Sequence, residues 1–261
     1  MKNNLIIPRL LLDTKMNIPF PQAQLTIYQP SIAEIGLIGE SDFFVAANAL
    51  SKDYKKYQDN SDLSNMSNFD ILMSVINEKT EASYKIREAI SKFLFLLFPQ
   101  YNVNFTPRAF IFQSQEDKTQ IHMIDNSSFD DFSQMIFEIF ALAEMTGEET
   151  GDYNPQGDRA RALVEKFRKK RELMSELRQE RGEDTTNLSV FGRYMNILAV
   201  GECKDKNILR NYSVYQLIEE FKRFQLKEAF DYTFQAKMAG ATKIKDAKDW
   251  TGDVQFGKKE D

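Results

Sequence analysis

Apolar positions recur with helical spacing over residues 211–240, and our interpretation of the chain is organised around this stretch. Ser213 and Gln216 fit a capping box at the start of the predicted helix, and Ser31 and Glu34 fit a second one at the start of a short helix predicted over residues 31–37. Gly240 supplies a residue that readily adopts the left-handed conformation at its end. Over the first half of the helix, apolar side chains fall on one face and charged side chains lie opposite.

The second half of this helix carries a separate apolar stripe on another face, at positions i, i+4 and i+8: Leu226, Phe230 and Phe234. A helix with two apolar faces is expected to have something packed against each. Two interpretations stay open. Either the helix lies in the core between two layers, or the second face is kept for a partner.

The rest of the chain is predicted to form shorter helices and one β-hairpin. Residues 1–24 contain three prolines and are predicted to be irregular. The hairpin is predicted over residues 109–113 and 119–124, with residues 25–28 as a candidate third strand, because a lone hairpin is marginal in water. The other predicted helices cover residues 31–37, 42–50, 69–77, 81–98, 129–145, 158–181 and 187–201.

These elements predict a mainly α-helical protein, built of helical layers with one small antiparallel β-hairpin or sheet. Residues 146–157 combine glycines, a proline and acidic residues, which is typical of a linker. The predicted organisation is an N-terminal helical region with the hairpin (1–145), the acidic linker (146–157), a C-terminal helical region (158–240) and a tail (241–261).

The predicted helix over residues 129–145 is a second place where a partner could bind. Phe132, Ile136 and Phe140 recur there at helical spacing, and the helix is apolar enough to be largely buried. It is the alternative partner surface if the stripe of the long helix belongs to the core.

Composition places the chain among soluble proteins of a reducing compartment. No apolar run approaches the ~18 residues that span a bilayer, and the N-terminus does not have the pattern of a signal peptide. With a single cysteine there is no internal disulfide, so we expect a cytoplasmic protein without membrane contact.

The strongest charge feature is the predicted helix over residues 158–181, which holds nine Lys/Arg and five Asp/Glu. Such a cluster could bind nucleic acid by counterion release. However, its glutamates are interleaved at spacings that form pairs within the helix, and no aromatic stacking platform accompanies it. A solvated helix is favoured, and nucleic acid is not expected as a partner.

The sequence offers little catalytic chemistry. His122 is the only histidine and Cys203 the only cysteine, so a histidine-based metal site or catalytic triad cannot be built within one chain. Carboxylate pairs that meet in space stay open. We expect no enzyme activity, no metal and no cofactor.

Four segments, in this order, resemble the tail assembly chaperone-type proteins that tailed phages and prophages of Gram-positive bacteria encode. They are IYQPSIAEIGLIGESDFF (residues 27–44), SSFDDFSQMI (127–136), YNPQGDRARALVEKFRKKR (153–171), and SVYQLIEEFKRFQLKEAFDYTFQAKMAGA with the following DW (213–250). The length of this chain departs from the pattern, since many assembly chaperones are shorter.

The resemblance implies a non-enzymatic role in the cytoplasm of the infected bacterial host. Such proteins coat the apolar tape-measure protein, keep it soluble and recruit tail-tube subunits. The tape-measure protein and the tail-tube protein would then be the partners, and homo-oligomerisation is left open. The alternatives are a structural tail or neck component of the virion and a nucleic-acid-binding accessory protein.

Overall fold

Helices make up most of the computed structural model, which describes residues 7–54, 66–145, 189–240 and 250–252. Together with two small antiparallel sheets, they confirm the predicted mainly α class with minor β. The helices of these ranges are α1 Arg9–Asp13, α2 Ile32–Ile38, α3 Glu40–Ser51, α4 Asn68–Asn77, α5 Glu81–Leu97, α6 Phe129–Ile139, α7 Leu142–Met145, α8 Val190–Gly201, α9 Lys206–Leu209 and α10 Val214–Met238.

The strands form two sheets that are separate from each other. One pairs β1 with β2, and the other has the antiparallel order β3, β4, β5. Their bounds are β1 Ile18–Phe20, β2 Leu25–Ile27, β3 Tyr101–Thr106, β4 Ala109–Ser114 and β5 Ile121–Asp125.

Two predictions were wrong, one about the hairpin sheet and one about the N-terminal region. The third strand of the hairpin sheet is β3, whereas the predicted candidate, β2, pairs with β1 elsewhere. The N-terminal region is also not irregular, because α1, β1 and a 3₁₀ turn at Pro21–Ala23 lie within residues 7–24. Its prolines fit these elements: Pro19 sits in a three-residue strand and Pro21 opens the 3₁₀ turn.

Phenylalanine rings fill the core and join the part of the chain before residue 146 to the part after residue 188. Phe43 of α3 is fully buried, and its ring centroid lies 5.5 Å from that of Phe93, 5.1 Å from Phe140 and 5.6 Å from Phe191. Since Phe191 belongs to α8, rings from before residue 146 and from after residue 188 share one cluster. Edge-on and tilted aromatic contacts of this kind add to the hydrophobic stabilisation.

The helix predicted over residues 129–145 is interrupted. α6 ends at Ile139, Ala141 has a φ of +47°, and α7 begins at Leu142. A left-handed residue cannot continue an α-helix, so the single predicted helix becomes two.

The three residues singled out on this stretch lie inside the protein. Phe132, Ile136 and Phe140 are 0%, 0% and 1% exposed. They pack against the rings and aliphatic side chains of the main cluster. The interpretation of these residues as a partner surface is therefore corrected, because their apolar face is already used by the core.

α2 and α10 begin side by side from two buried N-cap serines. Ser31 forms the predicted capping box with Glu34, and Ser213 forms the other with Gln216. The two serines pair in an isolated antiparallel bridge, and the N–H of Ile32 donates to a carbonyl just before α10 at 2.9 Å. The start of the long helix is thus fixed to the N-terminal region.

The carboxylate of Glu34 is held in this junction. It accepts hydrogen bonds from the N–H and hydroxyl of Ser31 at 2.7 and 2.6 Å, and from the Tyr28 hydroxyl at 3.0 Å. Partial burial alone would raise its pKa. These hydrogen bonds, with the charge of Lys15, outweigh that effect and leave the pKa of Glu34 below its ordinary value.

A buried glutamine secures α1 to the same junction. Gln29 is 0% exposed, and its amide nitrogen donates to the carbonyls of Leu11 and Met16 at 2.8 and 2.6 Å. Its amide oxygen has no hydrogen-bond partner. The two donated bonds tie α1 and the residues after it to the buried amide, and the carbonyl of Leu11 also accepts from the N–H of Met16 at 2.9 Å.

α8 is attached at both of its ends. At its start, one carboxylate oxygen of Glu40 accepts from the N–H groups of Val190 and Phe191 at 2.6 and 3.1 Å, acting as a cap from 150 residues earlier. At its end Gly201 lies directly against the Phe224 ring of α10, with no room for a Cβ. Both contacts place α8 between α3 and α10.

Several predictions fall outside the described residues. They are the linker over residues 146–157, the basic helix over 158–181, and the tail over 241–261 except residues 250–252.

Candidate partner-binding site

The environment of α10 changes along its length. Its first two turns contribute Val214, Tyr215, Leu217 and Ile218 to the core. From residue 225 to its end at Met238 no residue of the helix is buried. At 1.5 Å per residue, roughly 20 Å of helix extends beyond the core. The interpretation of α10 as a helix packed on both sides throughout is therefore wrong for its second half.

The apolar stripe predicted for this half lies largely at the surface. Leu226 is half-buried, whereas Phe230 is 38% exposed and Phe234 is 57% exposed. Met238, one helical step further at i+4, is 76% exposed. We call these four residues the α10 stripe. Sequence reasoning missed Met238, although continuing the i+4 spacing would have found it.

The exposed area of the α10 stripe is substantial for one helix. A whole aromatic side chain covers roughly 200 Å², so the exposed fractions of Phe230, Phe234 and Met238 amount to roughly 300 Å². Burying that area would contribute about 7 kcal/mol before the costs of association. The largest apolar patch on a typical monomer covers roughly 300–600 Å² and is often functional, so the α10 stripe is a candidate interface.

The base of the stripe is held by an ion-pair chain. Glu219 pairs with both Arg9 of α1 and Arg223 of α10. Arg223 also donates to the backbone carbonyls of Trp250 and Gly252, at 2.9 and 3.3 Å. The hydrogen bonds with Glu219 raise the pKa of Arg223, so it stays a cation. These bonds fix the point at which α10 leaves the core.

A polar cleft of about 450 Å³ lies beside this base. Its charged side chains are engaged with one another: Arg9 with Asp13 and Glu219, and Glu220 with Lys204. Its other lining residues are Tyr212, Gln216 and Arg223. A cleft whose charges already neutralise each other serves to join α1 to α10 and gives a charged ligand little to bind.

The side chains with reactive chemistry do not come together. His122 lies in β5 with its ring edge-on to Tyr101 at 5.6 Å between centroids, and Cys203 is exposed in the turn after α8. Within the described ranges, no group of three or more His, Cys, Asp or Glu residues could hold a metal ion. No helix there is long and apolar enough to cross a bilayer.

Three other exposed large apolar side chains lie on separate elements, apart from the exposed pair Ile121 and Met123 of β5. Leu37 ends α2, Phe95 lies on α5 and Val200 lies near the end of α8, at 87%, 57% and 83% exposure. Isolated exposed apolar residues are normal at protein surfaces. The α10 stripe differs because its members are adjacent on one helix face.

The comparisons with known proteins concern the same part of the chain. Residues 192–255 match a family model described as the YomV second domain, and YomV is encoded by a Bacillus prophage. No curated protein and no solved structure matches the chain. The matched segment covers α8, α9 and α10 and about a quarter of the sequence. This similarity is consistent with a phage or prophage protein.

Proposed function

We propose that this protein is a non-enzymatic phage assembly chaperone, and that the α10 stripe binds an apolar, helical client in the cytoplasm of the infected host. The observation that carries the proposal is the exposure of Phe230 and Phe234 on a helix half that leaves a well-filled core. These side chains lie outside the core cluster, so their apolar character calls for another explanation.

The chemistry of the stripe favours a helical partner. Its members recur every four residues along roughly 18 Å of a straight helix, which is the arrangement that packs against the apolar ridge of a second helix. The client that the family resemblance implies, the tape-measure protein, is long and apolar and would otherwise be insoluble. Recruitment of the tail-tube protein belongs to the same proposed role.

The similarity to a prophage-encoded domain supports this proposal because the matched segment contains the whole stripe. A chain that needs only to be soluble would have polar residues on this exposed face of the helix. Here the face that contains Phe230 and Phe234 is apolar at four successive positions spaced i, i+4.

The test is to co-express the tape-measure protein with the Phe230→Ser, Phe234→Ser double variant. We expect the variant to melt close to the unmodified protein, because neither ring is buried, and the client to become insoluble. Phe95→Ser is the matched control: this ring has the same exposure as Phe234 but lies on α5, and the client should stay soluble.

Either of two results would refute the proposal. The first is a client that stays soluble with the double variant. The second is a double variant that unfolds although Phe95→Ser does not, because the stripe would then be part of the folded core.

A further inference from the structure

At the outer edge of β5, backbone N–H and C=O groups have no hydrogen-bond partner among the described residues. β5 lies at one edge of the three-stranded sheet. The carbonyl of Gln120 accepts from the N–H of Ser114 at 3.1 Å, so the even-numbered residues of this strand direct their backbone groups towards β4. By the alternation of an antiparallel pair, Ile121 and Met123 direct their N–H and C=O groups away from the sheet.

The same two residues have exposed apolar side chains. Ile121 is 56% exposed and Met123 is 53% exposed, on the outer face of the sheet. On that face β3, at the opposite edge, presents the exposed polar residues Asn102 and Asn104 instead. The two edges therefore differ in character, and only the β5 edge joins unpaired backbone to an apolar surface.

β5 lacks the side-chain and backbone features that usually protect an edge strand, although it is only five residues long and the 3₁₀ turn at Pro21–Ala23 lies close to it. Its sequence, IHMID, has no lysine, arginine or proline, and its register with β4 is continuous without a bulge. Only at its last residue is an outward backbone group already hydrogen-bonded, since the N–H of Asp125 donates to the Ser128 hydroxyl at 3.1 Å. An unprotected apolar edge of this kind pairs readily with another strand.

We propose that β5 pairs with β5 of a second copy of this chain, antiparallel and across a two-fold axis at His122. The two sheets would join into one sheet of six strands. This interaction is separate from the α10 stripe, and neither depends on the other.

The strand is complementary to itself in this register. Ile121 lies opposite Met123 of the second copy, and Met123 opposite its Ile121, so the four exposed side chains cover one another. Both residues direct their backbone groups outward, so the pairing forms four new N–H to carbonyl hydrogen bonds. Asp125 lies opposite Thr119 of the second copy, so no like charges are opposed.

The small size of the contact predicts a concentration-dependent dimer. Two five-residue strands bury less than the ~1,000 Å² that a stable interface requires. We therefore expect the mass to rise from that of one 30.3 kDa chain towards twice that value as concentration increases.

Disulfide cross-linking between two copies of the chain tests the proposed register of β5 against β5. In a Cys203→Ser background, which removes the native exposed thiol, His122→Cys places two cysteines opposite each other on the axis. Such a pair has Cα atoms roughly 4.5–5.5 Å apart, within disulfide range. Met123→Cys is the matched control, because its two copies would lie about 8 Å apart and outside that range.

We expect mild oxidation to cross-link His122→Cys into a dimer and to leave Met123→Cys mainly monomeric. Light scattering on the chain with native β5 should show the rise in mass, and Met123→Lys should abolish it by opposing charge to the apolar pair. A mass of one chain at every concentration overturns the proposal. So does cross-linking of Met123→Cys as fast as that of His122→Cys, which would mean pairing in another register or contact by another surface.

Discussion

Replacing Phe43 with alanine tests whether the two parts of the chain form one cooperative core. Its ring is fully buried and lies within 5.6 Å, centroid to centroid, of four other phenylalanine rings. Three of these belong to residues 40–140, and the fourth, Phe191, begins α8. Removing the Phe43 ring therefore removes one of the contacts that α8 makes with α3, while the stacked ring of Phe44 and the cap from Glu40 remain.

The expected loss of stability is large. Truncating a buried phenylalanine costs about 3–5 kcal/mol, and we expect about 4 kcal/mol because rigid rings on all sides oppose collapse of the cavity. For a chain of this size that loss corresponds to a decrease in melting temperature of about 8–16 °C. Phe95→Ala is the control, since a ring that is 57% exposed should cost less than about 1 kcal/mol.

Urea unfolding followed by circular dichroism gives the free energy of unfolding. Hydrogen exchange shows which helices lose stability in the variant. In Phe43→Ala, amide exchange should accelerate in α8 as well as in α3. Faster exchange in α3 with unchanged exchange in α8 would refute the view that the two parts share a core. Equal losses of the free energy of unfolding in Phe43→Ala and Phe95→Ala would refute the argument that burial of the Phe43 ring stabilises the fold.

Three further predictions concern the junctions around the core. Because the folded pKa of Glu34 is lowered, its contribution to stability is present above the carboxyl's unfolded pKa and is lost as pH falls through the folded pKa. Glu34→Gln should therefore flatten the acid side of a stability–pH curve, and an unchanged curve would contradict this role of its hydrogen bonds. Gln29→Leu should cost about 1–2 kcal/mol in urea unfolding, because it removes the two hydrogen bonds that the buried amide donates to α1 and to the chain after it. Glu40→Ala should cost about 1 kcal/mol and speed amide exchange in the first turn of α8, and unchanged exchange there would contradict its role as a cap.

Local signals in the sequence predicted the helix starts well. The capping boxes at Ser31 and Ser213 each need only two residues three positions apart, so the sequence alone contains the whole interaction. The end of α10 is similarly local, since Gly240 adopts a φ of +90°. These features were confirmed because tertiary contacts support them and do not compete with them.

Features that depend on distant residues could not be predicted. Nothing near Glu40 indicates that its carboxylate caps a helix 150 residues later. Strand partners are equally non-local, which is why β2 was assigned to the wrong sheet. The break at Ala141 was missed because alanine is a strong helix former and its left-handed conformation is imposed by the surrounding structure.

The candidate site was only half predictable for a related reason. A stripe at i, i+4 and i+8 has the same sequence pattern whether a core or a partner covers it. Phe132, Ile136 and Phe140 have this pattern and are buried, whereas Phe230 and Phe234 have it and are exposed. Only the packing of the rest of the chain separates the two cases.

The two halves of α10 differ in burial, and therefore in how far their sequence can change without loss of stability. The first half is fixed by buried residues, by the Ser213 cap and by the chain of Arg9, Glu219 and Arg223 at the point of departure from the core. Beyond that point the residues contribute little to folding, so their substitution leaves the free energy of unfolding nearly unchanged. The second half can therefore vary in sequence while the first half keeps the helix in place.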